Sequence, residues 1–139
     1  IRINLGSQRL TALRGQREIG WCVVATGIPG HSTPAGSYRI TEKVVDKYST
    51  IYGVIKNPEG ITINKDARVG RDRVPAGCEF VHAPMPYWQR LTNSGIGMHA
   101  GPIPKPGEPA SHGCIRMPRE FAPLLFDATT LGTPVTITR

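Results

Sequence analysis

The sequence predicts a mainly β domain, and three features of the chain lead to this prediction. Short apolar or alternating runs recur along the 139 residues, and 16 glycines and 13 prolines punctuate them. Apolar residues with a helical spacing are nearly absent. A chain of this length commonly folds around a single core, so we expect one domain over residues 1–139.

The N-terminal third predicts a meander of three strands and then a fourth strand. Residues 1–5 and 9–13 have the composition of two strands joined by a polar turn, and 17–26 continues the sheet. The glycines and prolines of 27–36 predict a rigid loop. The alternation over 37–45 predicts the fourth strand.

The middle of the chain carries a weaker signal. Strands are expected at 51–55 and 60–63, but charged residues and glycine dominate the rest of 46–77. We expect an insertion or long excursion here. A flap over a cleft is one interpretation, because long loops in compact domains are commonly functional or mobile.

The next segments bring a histidine to the end of a strand. We expect a strand at 79–82, a short helix or turn at 85–91, and a short strand at 95–99 that ends at His99. Three prolines within 103–110 predict a stiff extended loop, since proline lacks an amide donor and has a fixed φ.

The convincing helix is predicted over Pro118–Ala128. Proline suits a first helical turn, and the carboxylate of Glu120 complements the positive end of the helix. A final strand is expected at 135–138. The apolar face of the predicted helix has four members: Phe121, Leu124, Leu125 and Ala128.

The net charge of +7 favours anionic partners such as nucleic acid, anionic lipid or an anionic cell-wall polymer. The basic residues are scattered along the chain rather than interleaved with aromatics on one helical face, so no nucleic-acid partner is expected. No run approaches the roughly 18 apolar residues of a membrane span, so no membrane insertion is expected for what we interpret as a mature fragment.

Three cysteines leave at least one thiol without an internal partner. Cys22 lies in an apolar run and is expected to be a small core residue, and Cys78 has the same interpretation. A Cys22–Cys78 disulfide remains an alternative, because pairing cannot be deduced from sequence. Cys114 is the candidate free thiol.

The run Ser-His-Gly-Cys-Ile-Arg-Met at 111–117 is the most informative stretch, and His99 lies 15 positions before its cysteine. A thiol becomes nucleophilic when an imidazolium, a cation or a helix N-terminus lowers its pKa, and Cys114 has candidates for all three. These are His99 or His112, Arg116, and the helix predicted at 118. The backbone amides of Gly113 and Cys114 are candidate donors to an oxyanion.

His99 is the candidate general base across from Cys114, with its second ring nitrogen oriented by the carbonyl of Ala100 or by the Ser111 hydroxyl. A zinc site of His99, His112 and Cys114 is disfavoured because it lacks a fourth ligand, so no metal and no cofactor are expected. An inert core thiol with satisfied loop histidines is the other alternative.

The run 111–116, with Met98 and His99 before it, resembles the signature of the L,D-transpeptidase (YkuD-like) catalytic domain. The similarity covers almost the whole chain, including 33–40, 83–88 and 132–137. The resemblance implies a β-sandwich of mixed sheets with one or two short helices.

It also implies a cysteine enzyme that remodels bacterial peptidoglycan. The thiolate would attack the carbonyl of the third residue of a tetrapeptide stem, expel D-alanine, and pass the resulting thioester to an amine of a neighbouring stem. Donor and acceptor stem peptides are the expected partners, and carbapenems the expected inhibitors. A monomer in the periplasm or elsewhere outside the cytoplasm is expected.

The resemblance further implies that Cys114 is the nucleophile, His99 the base and the Ala100 carbonyl its orienting group. His112 and the amides of Gly113 and Cys114 would form the oxyanion site. Arg116 is expected to bind a carboxylate of the substrate through charge-assisted hydrogen bonds. The residues expected to bind substrate are Arg116, Ser111, Tyr87 and Trp88. For Tyr87 and Trp88, packing in the core is an equal alternative.

Three alternatives use the same residues differently. An L,D-carboxypeptidase would resolve the same thioester with water, and an endopeptidase or wall-protein hydrolase would attack another amide. A non-catalytic peptidoglycan-binding module would not need Cys114.

Overall fold

The computed structural model describes all 139 residues and contains twelve strands and one helix. The helix, α1, spans Ala122–Ala128, and its seven residues are too few to cross a membrane. The strands are β1 (Arg2–Asn4), β2 (Arg9–Arg14), β3 (Arg17–Val23), β4 (Gly36–Arg39), β5 (Glu42–Val44), β6 (Tyr48–Lys56), β7 (Thr62–Arg68), β8 (Glu79–Pro84), β9 (Trp88–Arg90), β10 (Gly97–Ala100), β11 (Ile115–Met117) and β12 (Pro134–Thr138). The predicted mainly β fold is confirmed.

The chain forms two compact units: Ile1–Val45 with Pro86–Arg139, and Asp46–Met85. The first unit contains a five-stranded sheet in the order β3-β2-β1-β12-β4 and a four-stranded sheet in the order β11-β10-β9-β5. Both sheets are mixed, because β12 runs parallel to β1 and β11 runs parallel to β10. The predicted N-terminal meander is confirmed as β1, β2 and β3.

The two sheets of the first unit share one hydrophobic core. Ile3, Leu10 and Ile137 enter it from the five-stranded sheet, and Met98 and Ile115 from the four-stranded sheet. Burying this apolar surface is the main favourable term in folding. The two inner faces therefore pack as a sandwich, as the family resemblance implies.

The segment 37–45 is two strands in different sheets, so the prediction of one strand is wrong. Ile40, between β4 and β5, is buried, and its amide donates to the carbonyl of Thr133. The next amide, of Thr41, donates instead to Arg90 in the other sheet. The backbone thus crosses from one sheet to the other between Ile40 and Thr41. Because the alternation of apolar and polar residues continues through this point, the local sequence pattern cannot reveal the crossing.

The segment 85–91 contains strand β9, and the short helix that was one prediction there is wrong. Tyr87 has a positive φ of 59° and follows Pro86, which is incompatible with a helical turn. β9 pairs with β5 on one side and β10 on the other. These distant partners satisfy the backbone groups that a helix would pair locally.

Helix α1 begins at Ala122, four residues later than predicted. The carbonyl of Pro118 accepts the amides of Phe121 and Ala122, so the preceding residues form a turn. Ala122 and Leu125 are buried, whereas Leu124 is 68% exposed and does not belong to the apolar face. The late start also separates the helix from Cys114 by the whole of β11.

The second unit is a three-stranded antiparallel sheet in the order β7-β6-β8. This sheet is more regular than the weak sequence signal of 46–77 predicts. The signal is weak because register shifts of β6 against both neighbours break the alternation of its side chains. Gly53 allows the strands to approach closely, since a Cβ there would lie 2.2 Å from the Val81 carbonyl oxygen. A lid role for 46–77 stays a prediction.

Candidate active site

Several candidate residues meet on one face of the four-stranded sheet. In the parallel pairing of β10 and β11, Met98 lies opposite Ile115 and His99 opposite Arg116. Met98 and Ile115 are buried in the core, so His99 and Arg116 point to the other face. Cys114 directly precedes β11, and the backbone amide of Gly97, at the start of β10, acts to lower the pKa of its thiol.

His99 is held in one tautomer. Its Nδ1 lies 2.8 Å from the carbonyl oxygen of Ala100, and because a carbonyl only accepts, Nδ1 carries the proton. Nε2 of the neutral ring then holds the lone pair. The side chain is 6% exposed, and its ring centroid lies 6.1 Å from that of Trp88.

Burial lowers the pKa of His99 to about 4. The hydrogen bond with Ala100 opposes this shift, and the positive charge of Arg116 adds to it. At neutral pH His99 is therefore a neutral imidazole with a proton-accepting Nε2.

Cys114 is held as a neutral thiol, which corrects the expectation that its neighbours lower its pKa. Burial raises the pKa of Cys114, and this outweighs the Gly97 hydrogen bond and the charges of Arg116 and Arg90, which lower it. The thiol donates to the Gly95 carbonyl, with a sulfur–oxygen distance of 3.6 Å. The helix that the sequence places next to Cys114 starts eight residues later, at Ala122.

The Ser111 side chain holds the loop that leads to Cys114 by hydrogen bonds to its backbone. Its buried hydroxyl donates to the Cys114 carbonyl and accepts the amide of Gly113 at 3.2 Å. Ser111 is therefore bonded to the loop backbone rather than presented to a substrate. The Gly113 amide, predicted as an oxyanion donor, is already engaged, which leaves the Cys114 amide as the candidate donor.

The loop 27–36 and the residue before it are joined by hydrogen bonds to residues 110–113, just before Cys114, a link that sequence reasoning missed. Thr33, which lies in this loop, donates its hydroxyl to the Gly113 carbonyl at 2.6 Å. The Thr26 carbonyl accepts the amides of Ala110 and Ser111, each at 3.0 Å. No local pattern signals these contacts, because they join residues about 80 positions apart in sequence.

His112 stacks on His31, with ring centroids 4.8 Å apart and an angle of 24° between the rings. His31 is half-buried in this pair. His112 thus belongs to the packed wall beside Gly113, whose φ of 127° suits glycine.

The backbone of Arg116 is fixed by two hydrogen bonds with Ala25, at 2.9 and 3.0 Å. Its guanidinium is half-buried and donates from Nη1 to the Pro102 carbonyl at 3.3 Å. Its aliphatic stem fills the space beside Gly101, where a Cβ would lie 3.0 Å from Arg116 Cγ. A cation of this kind, half-buried next to a thiol, is suited to hold a carboxylate.

Of the two interpretations for Trp88, the structure favours packing. Its side chain is 1% exposed, and its indole donates to Glu42 Oε1 at 2.8 Å. Arg90, which the sequence did not single out, lies 5.5 Å above the Trp88 ring and 3.5 Å from Glu42. Tyr87 is half-buried and packs edge-on against Phe126, with ring centroids 5.6 Å apart.

Cys22, Cys78 and Cys114 are all free, so the Cys22–Cys78 disulfide is not formed. Burial raises the pKa of Cys22 to about 12, as befits an inert core thiol. No group of three or more histidine, cysteine or acidic side chains is arranged to hold a metal ion. The site combines the thiol of Cys114, the neutral imidazole of His99 and the guanidinium of Arg116, a combination suited to acyl transfer.

The chain resembles known proteins along nearly its whole length. The model of the YkuD family, described as the L,D-transpeptidase catalytic domain, matches residues 1–137. Probable L,D-transpeptidase 3 of Mycobacterium tuberculosis is 28% identical over 126 residues, which cover 86% of this chain and 39% of that protein. The chain therefore spans about two fifths of that relative.

Solved structures share the fold. An L,D-transpeptidase from Mycobacterium smegmatis superposes with a TM-score of 0.75 at 18% identity, covering 99% of this chain and 57% of that one. An L,D-transpeptidase in complex with imipenem superposes with a TM-score of 0.70 at 23% identity, covering 99% of this chain and 57% of that one. An avibactam carbamoyl enzyme superposes with a TM-score of 0.73 at 21% identity, covering 99% of this chain and 47% of that one.

The family match extends over both compact units and includes the loop in which Ser111, Gly113 and Cys114 are bonded together. The β-rich fold agrees with it. The chain therefore belongs to the YkuD family of L,D-transpeptidase catalytic domains.

Proposed function

We propose that this chain is a peptidoglycan L,D-transpeptidase that uses Cys114 as its nucleophile and His99 as its general base. The observation that carries the proposal is the hydrogen bond from His99 Nδ1 to the Ala100 carbonyl. It leaves Nε2 as the proton acceptor on the sheet face that also holds Arg116, next to Cys114.

The reaction starts from the neutral thiol and neutral imidazole. As Sγ attacks the carbonyl of the third stem residue, the thiol proton passes to His99 Nε2. The tetrahedral intermediate expels D-alanine, whose amine takes the proton from His99, and a thioester remains on Cys114. The amine of a neighbouring stem attacks the thioester and gives up a proton to His99 Nε2; an amide bond forms, the C–S bond breaks, and the proton passes from His99 to the departing sulfur.

Arg116 binds a carboxylate of the donor stem, and the Cys114 amide donates to the developing oxyanion. The half-buried position of the guanidinium supports its role, because a charge-assisted hydrogen bond is stronger where water is partly excluded. His112 shapes the wall of this site through its stack on His31. No cofactor takes part in these steps.

Residues 1–139 act as one catalytic domain and as a monomer. The family match over 1–137, which spans both compact units, supports the single domain. Because peptidoglycan lies outside the cytoplasmic membrane, the chain works in the periplasm or another extracytoplasmic compartment. Carbapenems acylate Cys114, a proposal supported by the structural neighbour in complex with imipenem.

The test is incubation with a disaccharide tetrapeptide muropeptide, followed by mass spectrometry of the products and of the protein. We expect release of D-alanine, a cross-linked dimer, and an acyl adduct on Cys114. Imipenem should add to the same thiol. Cys114→Ala should abolish all three signals, whereas the matched control Cys78→Ala should retain them.

The outcomes separate the alternatives. A trimmed monomer without a dimer would indicate an L,D-carboxypeptidase with water as the acceptor. Binding to sacculi by wild-type protein and Cys114→Ala alike, with no turnover by either, would indicate a binding module. A folded wild-type protein that forms neither adduct would refute the enzymatic proposal.

A further inference from the structure

The hydroxyl of Thr33 is buried and connects two loops. Thr33 is 3% exposed. Its Oγ1 accepts the amide of Gly27 at 2.9 Å and donates to the carbonyl oxygen of Gly113 at 2.6 Å. A single side chain therefore ties the peptide unit that precedes Cys114 to a loop about 80 positions earlier in sequence.

The anchored carbonyl determines where the Cys114 amide points. No cis peptide bond occurs in the chain. In a trans peptide unit the C=O and the N–H point in opposite directions. Since the Gly113 carbonyl points at Thr33, the N–H of Cys114 points away from Thr33.

This peptide unit needs an external anchor. Gly113 has a φ of 127°, a conformation that L residues rarely adopt and that glycine leaves readily. Ser111 holds the Gly113 amide and the Cys114 carbonyl on either side of the unit. Thr33 holds the carbonyl of the unit itself, so the direction of the Cys114 N–H depends on the Thr33 hydroxyl.

We propose that Thr33 is a positioning residue whose hydroxyl aims the Cys114 amide at the oxyanion formed during acylation. This inference rests on the proposed function. A donor that is already oriented stabilises the transition state without a cost of reorganisation. Because Thr33 acts through the peptide unit and touches no reacting atom, it affects only reactions that develop an oxyanion.

The test compares two reactions of the same sulfur. Acylation by imipenem passes through a tetrahedral oxyanion. Alkylation by iodoacetamide displaces iodide in one step and forms none. Thr33→Val removes the hydroxyl and keeps the branched shape, so we expect imipenem acylation to slow by about 10- to 100-fold, below the roughly 10²- to 10³-fold cost of deleting an oxyanion donor. Iodoacetamide alkylation should stay within about twofold of wild type.

Two further variants complete the test. Thr33→Ser keeps a hydroxyl at this position, so its rate of acylation should stay within about threefold of wild type. Thr136→Val, at an exposed position of β12, controls for the exchange itself and should leave both rates unchanged. If Thr33→Val does not fold, Thr33→Ala removes the same hydroxyl and is measured in the same way.

The results have distinct meanings. Acylation of Thr33→Val at the wild-type rate, or an equal slowing of acylation and alkylation, would overturn the positioning role. Slow acylation of Thr33→Ser with normal alkylation would also contradict it. Failure of the wild-type protein to be acylated at all would instead refute the proposed function.

Discussion

His99 derives its chemical state from its neighbours within a few ångströms. The ring is buried against Trp88, and the Ala100 carbonyl fixes the proton on Nδ1. Burial makes the charged imidazolium unfavourable, so the ring stays neutral down to a pH well below the ordinary range of histidine. A neutral ring with a free lone pair on Nε2 is the form that a general base requires.

This state makes a prediction for the pH dependence of the reaction. The acid limb of kcat/KM reports protonation of the free enzyme, and with the pKa of His99 at about 4 it should lie near pH 4 rather than near 6.5. The measurement is the rate constant of acylation by imipenem between pH 3.5 and 8, with folding checked by circular dichroism at each pH. A limb near 6.5 would show that His99 is solvated or is not the base.

At the scale of single residues, the sequence identified the chemical groups but not all of their supports. Cys114, His99 and Arg116 stand in or near one recognisable run, and the Ala100 hydrogen bond expected from the resemblance is present. Thr33 and Arg90 carry no such signal. They reach the site through pairing of distant strands and loops, which depends on the fold rather than on the adjacent sequence.

At the scale of elements, helix α1 is stabilised at its C-terminal end by a side chain from β5. Lys43 Nζ donates to the carbonyls of Phe126 and Thr129, at 2.5 and 2.6 Å. It also lies 4.2 Å from the centroid of the Phe126 ring. The last turn of the helix has no basic residue of its own, so Lys43 supplies the positive charge that the helix C-terminus favours.

Replacing this lysine tests the contact. Lys43→Met keeps the apolar stem and removes both hydrogen bonds, so we expect the free energy of unfolding to fall by about 1–2 kcal/mol. Urea denaturation provides the measurement. Lys105→Met, in an exposed loop, is the matched control and should change the free energy of unfolding by less than about 0.5 kcal/mol. Equal stability of the two variants would contradict the capping role.

At the scale of the whole molecule, the buried neutral histidine links stability to pH. The folded pKa of His99 is about 4, below its value of 6.5 when unfolded. Between these values the unfolded chain binds a proton that the folded chain does not, so this contribution to stability is full above about pH 6.5 and is lost as the pH falls toward 4.

The comparison of two variants isolates this effect. From pH 7.5 to 4.5 the wild-type protein should lose roughly 2–3 kcal/mol more free energy of unfolding than His99→Gln, whose side chain does not titrate. Urea denaturation at the two pH values provides the measurement. Parallel losses in both proteins would mean that His99 binds protons equally in the folded and unfolded states.

The local pattern of residues was sufficient for the fold class, the N-terminal meander, the proline-rich loop and the thiol motif. Each of these depends on nearby residues: glycine and proline restrict their own backbone, and alternation expresses the period of a strand. Three other features required the folded chain: the crossing between sheets at Ile40, the strand at Trp88–Arg90, and the late start of α1. These follow from hydrogen bonds to distant partners. The shifted pKa values of Cys114 and His99 also arise only on folding, because a charge loses its hydration when distant strands pack around it.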